Sequence, residues 1–244
     1  LIREGPPSEK VSAKSNEITI VPKLLSAIDL SKTIVTIDAM GCQTAITEKI
    51  IEGKGDYIIA LKANQKHSLN LAKDMISGFA NRERRNIVSR CSTTNEGHGR
   101  HEQRDCIVVS YGNIMQNMFK DKFIGLKSIV GITSKRTIIA TGETTEEARY
   151  YITSLSNKDP EKIADAIRQH WSIENNLHWQ LDFTFREDDS RKVRNAARNF
   201  STITKMALSI LKNDKTTKGS LNLKRLKAGW SEDYLDRLLT GSSI

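Results

Sequence analysis

The order strand, helix, strand between Thr33 and Leu61 constrains this chain more than any other feature. Thr33-Ile34-Val35-Thr36-Ile37-Asp38 is a short, β-branched, mostly apolar run that ends in a carboxylate, which is how a buried strand reads. Gln43 to Glu52 places Ile46, Ile50 and Ile51 at helical spacing, and Gly53-Lys54-Gly55 stops it. Asp56-Tyr57-Ile58-Ile59-Ala60-Leu61 reads as a second buried strand. Strands joined tightly through one helix are expected to be parallel, with a right-handed crossover. Asp38 then falls at the carboxyl end of a parallel strand, the edge where open α/β sheets place their sites.

Around this unit the texture changes twice. Pro22 suits a helix first turn, with Leu24, Leu25 and Ile28 behind it, and a further helix is expected near Ser68 to Asn81. From Arg82 to Ser156 several β-rich runs alternate with polar turns: Cys106 to Tyr111, Ile129 to Ile132, Arg136 to Ala140 and Arg149 to Thr153. Gly97-His98-Gly99-Arg100-His101 reads as a flexible basic loop among them. Asp159-Pro160-Glu161 then opens a helix, as an N-cap followed by proline at the first helical position. The expected layout is a first core segment over 1–81, a β-rich insertion over 82–157, a second core segment over 158–213 and a basic tail over 214–244.

With 38% hydrophobic and 27% charged residues and four prolines, the chain has the composition of a globular rather than a disordered protein. No apolar run approaches the ~18 residues of a membrane span. Cys42, Cys91 and Cys106 are spaced for neither a disulfide framework nor a Cys-x-x-Cys zinc site, so three free thiols and a reducing cytoplasm are expected. The net charge of +9 admits a polyanionic partner without establishing one.

The helix after Pro160 carries the most informative pattern. At about 100° per residue from Ile163, the residues Ala166, Ile167, His170, Trp171, Glu174, Leu177, His178 and Leu181 share one arc. A carboxylate in an apolar stripe is costly unless it is paired, protonated or metal-bound. Three readings of Glu174 follow: a structural glutamate satisfied by a buried base, a zinc site with His170 and His178, or a hard-cation site shared with Asp38. Trp171, Trp179 and the methionines read as core packing.

Ile34 through Gln43, Tyr57 through Gln65, and His170-Trp171-Ser172-Ile173-Glu174-Asn175-Asn176-Leu177-His178-Trp179 with Leu181 to Asp188 together resemble the insertion-sequence transposases of the H-repeat-associated, Rhs-element type. The likeness runs from Lys14-Ser15-Asn16-Glu17-Ile18 to Arg225-Leu226-Lys227-Ala228-Gly229-Trp230. It implies an α/β, RNase H-like mixed sheet with flanking helices and a β-rich insertion before the helix carrying the catalytic glutamate. It implies a DDE site in which Asp38 is the second carboxylate and Glu174 the third, both catalytic and both ligands of Mg²⁺ or Mn²⁺, with two ions in the complete enzyme. The first carboxylate would precede Lys14, where the sequence has Glu4 and Glu9 but no aspartate, so an amino-terminally truncated and inactive copy is the expectation. The implied partner is double-stranded DNA, at element ends and target, in the bacterial cytoplasm, with a homodimer as the implied assembly on DNA. Lys62, Gln65, Arg168, Arg191, Lys192 and Arg194 are the candidate DNA contacts, with Arg198 beside them. A non-catalytic DNA-binding remnant is the alternative; a stand-alone nuclease would need its own full carboxylate set.

Overall fold

The computed structural model describes residues 17–80, 86–97, 99–110, 115–119, 123–187, 189–193 and 195–240, with backbone alone for 17–19, 116, 174 and 175. The chain divides into two compact units, Leu1–His170 and Trp171–Ile244.

In chain order the first unit runs α1 (Glu17–Ser26), β1 (Ile34–Ile37), α2 (Thr44–Glu52), β2 (Asp56–Leu61) and α3 (Lys66–Phe79). It continues with β3 (Val88–Gly97), β4 (Arg100–Ser110), α4 (Met115–Met118), β5 (Ser128–Ile138), β6 (Thr144–Thr153) and α5 (Pro160–Ile173), whose last turn passes into the second unit. Among the described residues six strands form one sheet in the order β1-β2-β6-β5-β4-β3. β1 and β2 are parallel, Thr36 lying opposite Ile58, as a tight strand-helix-strand connection requires. All other neighbours are antiparallel. The result is the mixed α/β, RNase H-like arrangement of sheet and flanking helices that the family resemblance implies.

Alternation along the strands sorts the core onto two faces. Tyr57, Ile59, Leu61, Val109, Ile129 and Ile152 point to one face, where they pack with Leu25, Ile46, Ile50, Ala72 and Met75 of the first three helices. Gly131 has no side chain to spare there, since a Cβ would stand 2.9 Å from Ile76 Cγ2. Ile58, Val108, Val130, Ile132 and Tyr151 are buried on the opposite face, as are Ile163 and Ile167 of α5. Asp159 caps α5 by accepting the Lys162 N–H at 2.9 Å.

Four expectations change. Pro22 sits inside α1 rather than in its first turn, because the helix already runs from Glu17. The two short strands expected at 129–132 and 136–140 are one strand, β5, whose outer half is polar because both of its faces meet solvent there. The basic loop is shorter than expected: Gly97 ends β3 and pairs with Arg100, Arg100 and His101 belong to β4, and Gly99 has φ 74°; His98 lies outside the described residues. The stretch read as a tail carries two helices, described below. Cys42 and Cys106 are buried and Cys91 is half-buried, and each carries its thiol.

Tyr57 is fully buried, and its hydroxyl has no hydrogen-bond partner among the described residues. Burial pushes its phenol far above the ordinary range. A buried polar atom left unpaired costs about 1–3 kcal/mol, so Tyr57→Phe is expected to raise stability by about 1 kcal/mol. The check is a higher denaturant midpoint at unchanged slope; a lower midpoint would show that the hydroxyl is satisfied.

Candidate active site

β1 ends at Ile37 and the chain turns at once. Asp38 stays extended (φ −67°, ψ 166°) and caps a short 3₁₀ turn, Ala39–Gly41, by accepting the Ala39 N–H at 2.5 Å. This places the carboxylate at the carboxyl edge of the parallel pair, half exposed, with Lys62 Nζ from the end of β2 at 3.1 Å. Burial works to raise the carboxyl's pKa, but the Ala39 N–H, the Lys62 ammonium and the field of His170 outweigh it and hold Asp38 below the usual carboxylate range. The group is therefore ionised at neutral pH. A pair this exposed adds at most about 1 kcal/mol to folding, so its effect is on the charge at the edge.

The turn is fastened from the neighbouring strand end. Lys62 precedes a second 3₁₀ turn, Ala63–Gln65, from which Asn64 Nδ2 donates to Ala39 O at 2.7 Å and Gln65 Nε2 donates to Cys42 O at 2.9 Å. Gln65, expected at a phosphate, thus spends an amide N–H on the backbone behind Asp38. Asn64 was not singled out from sequence, although its place directly after a buried strand at the same edge was the available signal. Gly41 closes the turn onto its own strand, since a Cβ there would stand 2.2 Å from Ile37 Cγ2.

On the sheet face opposite the main core, His170 Nδ1 lies 3.1 Å from Thr36 Oγ1, two residues before Asp38. Arg168 is exposed on α5. Its guanidinium comes within 3.2 Å of the Asn95 carboxamide oxygen, in the amide orientation that satisfies both groups.

The second unit begins with a π-helical turn, Glu174–His178, followed by α6 (Trp179–Phe185), α7 (Asn195–Asn213), α8 (Leu221–Trp230) and α9 (Glu232–Thr240). The backbone of Glu174 opens the π turn, the kind of helix irregularity that frequents functional sites. This turn adds a residue to the helix and breaks the constant 100° phase on which the single apolar arc was drawn. His178 is accordingly exposed, not inward, and the i, i+4, i+8 register behind the zinc reading is lost. Trp179, expected in the core, is 51% exposed and stacks on exposed Phe183 with centroids 4.7 Å apart.

Arg191 and Lys192 are exposed, as is Arg198. Lys192 Nζ stands 3.6 Å above the Phe200 ring, beside an open groove lined by Arg186, Asp189, Ser190 and Arg191. Arg194 lies outside the described residues. The helices are joined by a buried polar knot. Asp214, just past α7, accepts from the Thr216 hydroxyl (2.6 Å) and N–H (2.8 Å) and from the Tyr234 hydroxyl (2.8 Å). Lys224 Nζ, buried, lies 3.4 Å from the Asp214 carboxylate and donates to the Asp214 carbonyl at 2.6 Å.

Among the described residues no three His, Cys, Asp or Glu side chains gather into a metal cluster. Asp38 supplies one ionised, accessible, hard oxygen donor, which fits Mg²⁺ or Mn²⁺ and not a soft metal. Nor is any helix of the described residues long and apolar enough to cross a membrane.

The arrangement can be set beside known proteins. Residues 9–210 match the model of the transposase DDE domain. The chain is 41% identical over 239 residues to the "H repeat-associated putative transposase YhhI" of Escherichia coli K12, and equally to YbfL of the same strain. In both cases the match covers 96% of this chain and 62% of the relative, so the chain spans under two thirds of the relatives' length. An aspartate at the end of the first of two parallel strands, within a match of this extent, leads to one assignment: the chain belongs to the DDE transposase family.

Proposed function

We propose that this chain forms part of a DDE transposase site that works on double-stranded DNA by metal-dependent phosphoryl transfer, with Asp38 and Glu174 as its carboxylate ligands. The observation that carries the reading is the Asp38 edge: an ionised carboxylate at a parallel strand end, braced by Asn64 and Gln65 and faced by Lys62. A divalent ion bound there would activate water or a 3′-hydroxyl and offset charge on the phosphate. Asp38 contributes the hard oxygen and the negative charge. The Asn64 and Gln65 hydrogen bonds keep the carboxylate from moving with its loop, and Lys62 holds it deprotonated. Lys62, Arg168, Arg191, Lys192 and Arg194 are the cations proposed to meet DNA phosphates.

The nearest aspartate ahead of Asp38 does not complete the set. Asp29 turns its carboxylate onto the Ser31 N–H (3.0 Å) and hydroxyl (2.7 Å). The polypeptide of these 244 residues is therefore expected to bind duplex DNA without cutting it. The purified chain, incubated with a labelled duplex and Mn²⁺, should retard the duplex in a salt-sensitive way and leave both strands intact. Cleavage abolished by Asp38→Asn would overturn the inactivity, and a flat salt response would count against phosphate contacts.

A further inference from the structure

We propose that the outer ends of β4 and β5 present an arginine cluster that binds the DNA backbone, on the sheet face that also carries Thr36 and α5. The inference rests on the reading that DNA is the partner, and it names a surface which that reading left out.

The register decides which side chains share this face. Gly97 pairs with Arg100, Asn95 with Glu102 and Thr93 with Arg104; Arg100, Glu102 and Arg104 pair in turn with Ile138, Arg136 and Ser134. Arg136 and Ser134 pair with Thr145 and Glu147 of β6, and Arg149 follows two residues on. Among the described residues the exposed tip of this face holds four arginines, Arg100, Arg104, Arg136 and Arg149, against Glu102 and Glu147. The reverse face of the same tip holds Lys135 against Glu96, Asp105 and Glu146. One end of the sheet is thus basic on one side and acidic on the other. A polyanion is drawn to the first and repelled by the second.

Three of the arginines are pre-positioned. Glu102, only 15% exposed, takes Arg100 Nε at 3.2 Å and Arg136 Nε at 3.1 Å on one oxygen, and Arg104 on the other. Burial favours the neutral form of Glu102, but Arg104, Arg136 and Arg100 outweigh it and keep the carboxyl below its ordinary range. One carboxylate neutralises one of three guanidinium groups. Arg100 and Arg136 contact it through Nε, and with five N–H donors on each guanidinium a single carboxylate cannot use them all. Arg100 and Arg136 are 44% and 53% exposed, and Arg168 of α5 reaches the same face at Asn95. Guanidinium forks held in fixed positions suit phosphate oxygens, which accept in pairs.

The test is fluorescence anisotropy of a labelled duplex with the full 244-residue chain across a salt series. Replacing Arg100, Arg104 and Arg136 together by alanine should reduce the slope of log K against log salt by about 2–3 and weaken binding on the order of a hundredfold at 0.1 M salt. Circular dichroism reports whether the triple variant stays folded. If it does not, Arg136→Glu and Lys135→Glu, adjacent residues on opposite faces, supply the comparison. Arg136→Glu should weaken binding severalfold more than Lys135→Glu. Equal effects, or a folded triple variant with the parent slope, would overturn the cluster while leaving the DNA reading intact. A parent chain that does not bind duplex DNA at all would overturn both.

Discussion

Asp214→Ala is expected to destabilise the helical unit by about 3–5 kcal/mol, the usual cost of removing one partner from a buried ion pair. The side chain is 4% exposed and Lys224 9%, so water does not readily replace the carboxylate beside the ammonium. Removing it takes the carboxylate from the Lys224 ammonium and the buried Tyr234 hydroxyl at once, at the junction of α7, α8 and α9. The loss should depend on pH. Burial opposes ionisation of Asp214, but the Thr216 and Tyr234 donors and the Lys224 charge outweigh it and hold its carboxyl well below 3.8. A carboxyl whose folded pKa lies below its unfolded one contributes stability above the unfolded value and loses it as pH falls through the folded value. The gap between parent and variant in thermal midpoint should therefore be full at neutral pH, well above the unfolded carboxyl value, and should narrow as the solution is acidified below 3.8. A gap that does not change with acidification would show that the knot works through packing and not charge.

Gly41→Ala should cost about 1–3 kcal/mol, the range for overpacking, and should do its damage at Asp38. The glycine is required by proximity: the added Cβ would stand 2.2 Å from Ile37 Cγ2, a branched atom that no simple rotation of a flexible end removes. Either Ile37 leaves its place against the core or the turn lifts off the strand. Lifting would strain the Asn64–Ala39 and Gln65–Cys42 bonds, each worth about 1 kcal/mol. The diagnosis is a double-mutant cycle in urea. Ile37→Ala removes Cγ2, so it should relieve the alanine at 41 and make the pair less damaging than the sum of the singles. Strictly additive losses would place the cost elsewhere.

What could be read from the residues follows from how local their physics is. The parallel pair and the position of Asp38 were legible because β-branched runs, a short helix and glycine stops act within thirty residues. The helix at Pro160 was equally plain from its cap. The joining of 128–138 into one strand was not, since its outer half is polar on both faces and loses the alternation that marks a strand. The arc through Glu174 failed at His178 and Trp179 because it assumed unbroken α-helical phase, and the Glu174–His178 π turn removes that constancy without a proline or glycine to announce it. Lys224 hid α8 in the same manner, as a charge at an inward position that makes an amphipathic helix look like a solvated tail. At the site, the long-range brace from Asn64 depends on two turns meeting across strands and leaves no periodic trace.

The strand order also sets a timetable. β3–β4 and β5–β6 are hairpins that can close as soon as they are made, whereas β2 must wait for β6: the Thr153 hydroxyl that bonds Tyr57 O is 96 residues further on. At roughly 5–20 residues per second of synthesis, that delay is on the order of 5–20 s. Throughout it the apolar run from Tyr57 to Leu61 has β1 on one side and nothing on the other. Non-local pairing is slow and open to misassembly for this reason, so while residues 62 to 153 are being translated the free edge of β2 is open to pairing with the wrong strand.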